Sequence, residues 1–136
     1  MSGRHILTVY GSPVPQGRPR FARAGNYVRT YDPEKSREWK HSVRFQVVNL
    51  LGGHPDIHEG PLSLQLRFYL PRPKSLPKKV AHHVKRPDVD NLAKGCLDAI
   101  RKILYDDDAQ IVELVVRKEY NSTPRVVIGL EEICPT

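Results

Sequence analysis

"KRPDVDNLAKGCLDAI" (Lys85–Ile100), followed shortly by "YDDDAQI" (Tyr105–Ile111), is the stretch around which the rest of the chain arranges itself. At 100° per residue, Leu92, Ala93, Cys96, Leu97, Ala99, Ile100, Ile103 and Leu104 fill one broad arc. Asn91, Lys94, Asp98, Arg101 and Lys102 fill the other. The spacing predicts an amphipathic helix from about Asn91 to Leu104, with its apolar side on a core. Lys94 and Asp98, one turn apart, share the polar face. Asp90 falls at the N-cap position. Asp88, beside Pro87, points to the same side as Asp90 if the backbone there is extended. Asp106, Asp107 and Asp108 then crowd together in a chain whose formal net charge is +7.

Outward from this helix, the flanking segments alternate. In "PLSLQLRFYLP" (Pro61–Pro71), Leu62, Leu64, Leu66 and Phe68 face one way and Ser63, Gln65 and Arg67 the other, which describes a half-buried strand. "QIVELVVRKEYN" and "PRVVIGLEEI" read as two more strands around the turn "NSTP", an arrangement that suggests a hairpin. "HILTVYG" (His5–Gly11) is a short N-terminal strand. "SPVPQGRPRFARAGNYVRTYDP" is too rich in proline and glycine for regular helix. "DPEKSREWKHSVRFQVVNLLGG" is a helix, with Asp32 as N-cap, Pro33 in the first turn, Trp39, Val43, Val47, Leu50 and Leu51 at helical spacing, and Gly52-Gly53 as its stop. "RPKSLPKKVAHHVKRP" is a basic, proline-punctuated loop. The order β-α-β-α-β-β over residues 1–136 implies a single α+β domain, two helices packed on a mixed sheet.

Composition narrows the function class. The chain has 136 residues, 39% of them hydrophobic and 27% charged, enough for one globular domain with its own core. The positive charge favours a polyanionic partner, most often nucleic acid. Cys96 and Cys134 are far apart with no CxxC pair, which argues against a zinc site or a disulfide framework and fits a reducing, cytoplasmic compartment. No signal peptide and no run of transmembrane length is visible, so no membrane partner is expected.

The acidic residues then need an explanation. Asp90 as a helix cap, Asp88 as surface and "DDD" as a turn would be a purely structural one. A cap needs only one acid, however, and Asp107 and Asp108 precede an alternating strand. If that strand begins beside the helix start, the two clusters meet. Three or four converging carboxylates would need a hard divalent cation such as Mg²⁺, which takes oxygen ligands and keeps positions open for phosphate oxygens. "GHPDIHEG" offers His54, Asp56, His58 and Glu59, but Pro55 and the flanking glycines leave no rigid scaffold, so it reads as a loop rather than a metal site.

With these residues quoted, the chain resembles the RusA family of Holliday junction resolvases over nearly its whole length. The pattern is Asp-x-Asp-Asn-Leu-x-Lys, then Asp-Ala, then Asp-Asp-x-Gln-Ile/Val, and each residue of it is present in "DVDNLAKGCLDAI" and "DDAQI"; "PVPQGRPRF" is similar to the basic N-terminal segment of some members. The resemblance implies a homodimeric, Mg²⁺-dependent endonuclease, with Mn²⁺ a substitute, that nicks four-way DNA junctions symmetrically. It implies Asp88, Asp90 and Asp108 as essential carboxylates and Lys94 as the family's lysine, with Asp107 the adjacent acid and a fourth metal ligand. Asp106 is a departure from the pattern that leaves Asp107 and Asp108 as alternative registers of one ligand. Arg18, Arg20, Arg23, Lys85 and Arg86 are the expected contacts to backbone phosphates. A nuclease for flaps or other branched DNA, and a non-catalytic nucleic-acid-binding module, are the competing readings.

Overall fold

A computed structural model of the chain describes residues 4–17, 20–25, 27–31 and 33–134, with backbone only for 20–24 and 27–31. The elements in order are β1 (Arg4–Tyr10), β2 (Arg20–Ala24), β3 (Tyr27–Tyr31), α1 (Glu34–Leu50), β4 (Leu62–Leu70), α2 (Val89–Ile100), β5 (Ile111–Tyr120) and β6 (Arg125–Glu132). A single 3-10 turn, Asp108–Gln110, leads into β5. The α+β expectation holds: four strands form one mixed sheet and two helices pack on it.

The sheet order is β1-β6-β4-β5. β4 is the spine. Its Leu62, Leu64, Leu66, Phe68 and Leu70 are buried, as the alternation requires, and Val126, Ile128 and Leu130 of β6 sit beside them. Trp39, Val43 and Val47 of α1 and Leu92, Ala93, Cys96, Ala99 and Ile100 of α2 cover that face. Burial pushes the Cys96 thiol up to about 12, so it packs as an inert apolar group.

Several expectations fail in instructive ways. β5 and β6 are not a hairpin: β6 runs antiparallel between β1 and β4, while β5 pairs parallel with β4 on the outer edge. A parallel pair needs a long crossover, and α2 supplies it. α2 begins two residues before Asn91 and ends at Ile100, where Arg101 turns extended and Lys102 adopts a positive φ of 70°. Its N-cap is therefore Asp88, without a side-chain capping bond, and Asp90 lies in the first turn, where a carboxylate faces the positive end of the helix dipole. Pro33 occupies the N-cap of α1, and Asp32 is outside the described residues. Leu50 is 54% exposed, while Leu51 packs on the core. The proline- and glycine-rich segment contains the two-stranded hairpin β2-β3, which the sequence pattern did not reveal.

Candidate active-site cleft

The polar face of α2 forms one wall of a cleft of about 490 Å³ lined by Gln16, Gly17, Asn91, Lys94, Asp98, Arg101 and Asp108. The opposite wall comes from the "PVPQG" segment. Gln16 donates its backbone N–H to the Asn91 carbonyl at 3.0 Å. This close approach depends on Gly95, since a Cβ there would lie 3.3 Å from the Gln16 nitrogen.

At the far end of the cleft the acids are held by cations. Arg101 donates to Asp98 Oδ1 at 2.8 Å and to Asp108 Oδ2 at 3.0 Å, bridging α2 to the acidic turn. Tyr105 Oη sits 2.7 Å from Asp108 Oδ1. Lys40, buried on α1, donates to Asp98 Oδ2 at 2.7 Å. Burial alone would push the Asp98 carboxyl up, but the hydrogen-bonded Lys40 ammonium and the Arg101 and Arg44 guanidinium groups outweigh it and hold the carboxyl below its usual range. Partial burial works against the Arg101 charge, and the facing Asp108 and Asp98 carboxylates more than compensate, so its pKa is raised. Desolvation, then the Asp108 hydrogen bond, raise the Tyr105 phenol and keep it a donor.

Asp107 and Asp108 have different surroundings. Asp107 caps the 3-10 turn, its carboxylate accepting from the Ala109 N–H at 2.9 Å, while Gln110 Oε1 accepts from the Asp106 and Asp107 N–H groups. Asp108 faces the cleft. Lys94 lines the cleft with it, and neither the Lys94 nor the Asp90 side chain makes an ion pair or hydrogen bond to another described residue.

Asp88 and Asp90 are exposed at the start of α2. Asp88 lies 3.5 Å from Arg86. Asp90 lines a second, more apolar groove with Asn91, Lys94, Leu97, Leu114 and Val116, so Asn91 and Lys94 border both depressions. Eight residues of helix separate Asp90 from Asp98, about 12 Å of rise. The acids at the two ends of α2 thus do not converge within one chain; among the described residues, the one group whose potential metal-binding atoms all lie within 4.8 Å of one another is elsewhere, at His5, Asp56 and His58. The donor chemistry of Asp88 and Asp90 nevertheless fits Mg²⁺, which uses one or two exposed carboxylates and completes its shell with water and phosphate oxygens.

Of the expected phosphate contacts, Lys85 and Arg86 are exposed on the loop before α2. That loop is pinned by Lys118 of β5, which donates to the carbonyls of Lys85 (2.7 Å) and Pro87 (2.9 Å). Arg18 lies outside the described residues, and Arg20 and Arg23 are described by backbone alone. Asp98, Arg101, Tyr105 and Lys40 were not singled out as site residues. Asp98 was legible as the aspartate of the Asp-Ala pair and as a member of the polar arc, Arg101 only as a member of that arc; nothing in the pattern tied Lys40 of α1 to them.

Residues 10–131 match the family described as Endodeoxyribonuclease RusA. Over 140 aligned positions the chain is 38% identical to the uncharacterized protein YqaN of Bacillus subtilis (strain 168), covering 93% of this chain and 95% of that one.

Proposed function

The chain belongs to the RusA endodeoxyribonuclease family, and from that premise we propose that it is a Mg²⁺-dependent homodimer that resolves four-way DNA junctions by paired phosphodiester hydrolysis. The observation that carries the reading is the cleft that Asp108, oriented by Tyr105 and Arg101, shares with Lys94, whose side chain has no partner among the described residues.

Asp88 and Asp90 are the residues of one chain that would hold the metal, and Asp108, which does not converge with them within that chain, would reach it only across the dimer; bound there, the ion would supply a water of lowered pKa and positive charge at the phosphoryl oxygens. Lys94 has its ammonium available for a phosphate oxygen, and in the transition state its charge would be worth most where negative charge develops. Arg101 and Tyr105 fix the Asp108 carboxylate, and Asp107, whose Oδ1 is engaged in the capping box, positions the turn. Lys85 and Arg86, with Arg18, Arg20 and Arg23, would hold backbone phosphates and give binding a steep salt dependence.

The second copy has a natural place. β5 is a sheet edge carrying exposed apolar residues on both faces, Val112 at 64% among them, together with Leu114 and Val115. Edges of this kind are covered in stable proteins. A partner there would lie next to Asp90 and Lys94, and two sites related by a twofold axis suit an open junction.

The deciding experiment incubates the protein with a synthetic four-way junction, a flap and a linear duplex, each with Mg²⁺ and with EDTA. Junction-selective, Mg²⁺-dependent paired nicks are expected. Equal cleavage of the flap would move the substrate to branched DNA in general. Binding with no cleavage in either condition would leave only a nucleic-acid-binding module.

A further inference from the structure

The loop "GHPDIHEG" is not the loose connection its glycines suggest. The Asp56 N–H donates to the Ile103 carbonyl at 2.9 Å and the His58 N–H to the Leu104 carbonyl at 2.8 Å, so the segment is bridged to the chain just after α2. It brings His58, which is only 8% exposed, against His5 of β1. His5 Nε2 and His58 Nε2 are 3.0 Å apart; Asp56 Oδ2 is 3.0 Å from the first and 3.4 Å from the second. On its other side, His58 Nδ1 is 2.6 Å from Glu132 Oε1.

We propose that His5, Asp56 and His58 form a Zn²⁺ site, separate from the carboxylates of the cleft. Donors at about 2.0–2.1 Å around a tetrahedral ion sit about 3.3 Å from one another. The three observed separations lie within a few tenths of an ångström of that edge, so the triangle needs almost no rearrangement to receive an ion. Glu132 supplies the support that such sites require: by accepting the Nδ1 proton it fixes the tautomer in which a neutral His58 presents the Nε2 lone pair inward. Two imidazoles and one carboxylate suit zinc and disfavour Mg²⁺, which takes oxygen ligands and dehydrates reluctantly. Asp56 is 49% exposed and the His5 side chain 22%, which gives the ion an entry path and leaves a fourth position for water. Missing CxxC pairs argued against zinc; histidines from β1 and the loop, 53 residues apart in sequence, replace them.

The ion would tie β1 to the 56–60 loop, and that loop carries the carbonyls of His58 and Gly60 that accept from Gln110 Nε2 at 2.9 and 3.0 Å. Zinc would thus brace, through Gln110, the turn that carries Asp107 and Asp108. His5 and Glu132 lie outside the stretch that matches the family, so the site is built partly from this chain's own ends.

The test titrates the full-length protein, stripped with chelator, with Zn²⁺ by calorimetry and with Co²⁺ by visible absorption. One ion per chain is expected, with the intense d–d bands of a tetrahedral site, a raised Tm with Zn²⁺ and none with equimolar Mg²⁺. His5→Gln and Asp56→Asn, both on the solvent side, should each weaken binding at least tenfold while leaving circular dichroism unchanged. Glu132→Gln should weaken it about 10–100-fold. Asp90→Asn should bind zinc as the parent does, whatever it does to cleavage, so this proposal stands or falls independently of the nuclease reading. No stoichiometric ion, or binding indifferent to His5→Gln and Asp56→Asn, would reduce the cluster to a hydrogen-bonded network and overturn the proposal.

Discussion

At the scale of single residues, the acids differ in what already holds them. Asp98 and Asp108 are neutralised by Lys40 and Arg101, whereas Asp90 has no partner among the described residues. Asp90→Asn therefore disturbs little: an exposed isosteric change in a first turn should stay within about 0.5 kcal/mol of the parent. If Asp90 helps to hold the catalytic ion, cleavage should still fall by about 10²–10³ or more, because metal activation supplies several kcal/mol of barrier reduction. Junction binding should persist or tighten, since one repulsion with phosphate is gone; single-turnover rates and gel shifts on the same preparation read both, and near-parental cleavage would sink the assignment. Asp98 makes a prediction of a different kind. Its folded-state carboxyl is held below the usual value, so its contribution to stability is present above the unfolded pKa, about 4, and is lost as pH falls through the folded one. Asp98→Asn should lower the urea midpoint at pH 7, and the gap to the parent should close as pH falls below the ordinary carboxylate range, about 4. A constant gap would mean the ion pair with Lys40 contributes nothing that titrates. The sequence carried part of this. The spacing of Lys94 and Asp98 announced a shared polar face, and the two lie on one cleft wall. Which of Asp107 and Asp108 faces that cleft was not legible, because adjacent residues in a turn differ by backbone angles that only the capping box sets.

At the scale of elements, alternation and helical spacing located β1, α1, β4, α2, β5 and β6, because burying one face writes a period into the sequence. Boundaries were less visible. α2 starts at Val89 rather than Asn91 because an exposed first turn has no apolar signature, and the apolar Ile103 and Leu104 prolonged the pattern past the true end at Ile100. The most informative element is the turn before β5, where the glutamine of the Asp-Asp-x-Gln pattern acquires a physical role. The Gln110 side chain accepts from Asp106 N and Asp107 N and donates to the carbonyls of His58 and Gly60, four bonds from one amide. Gln110→Leu removes four hydrogen bonds, one to a part-buried carbonyl and three to exposed groups, and should cost about 0.5–1.5 kcal/mol, seen as a lower urea midpoint at unchanged slope. Gln110→Glu keeps the accepting half and loses the donating half, so it should fall between the two. A leucine variant as stable as the parent would show that the turn holds itself, and would remove the link between the acidic turn and the 56–60 loop.

At the scale of the whole molecule, what the sequence could not convey was which strand lies beside which. "NSTP" between two strands looks like a hairpin turn, yet β6 crosses to insert between β1 and β4 and leaves β5 outside. Period-two alternation reports which face a residue takes and says nothing of its neighbour. The consequence is functional, because an outer β5 exposes Val112, Leu114 and Val115 beside the groove that holds Asp90 and Lys94. A homodimer formed across this edge would be obligatory for paired nicking: each chain would cut one strand, and the twofold axis would place the second cut symmetrically. Val112→Glu combined with Leu114→Glu puts two like charges where two copies would meet, at positions open enough in the single chain for carboxylates to reach water. The parent should sediment as a dimer at micromolar concentration and the variant as a folded monomer of about half that mass. On a junction with one label per strand, the monomer should give isolated nicks and few resolved duplexes, while its metal dependence stays that of the parent. A parent that is monomeric at those concentrations and still yields paired nicks would break the connection between the β5 edge and symmetric resolution. A double variant that remains dimeric and resolves normally would place the interface on another surface of the molecule.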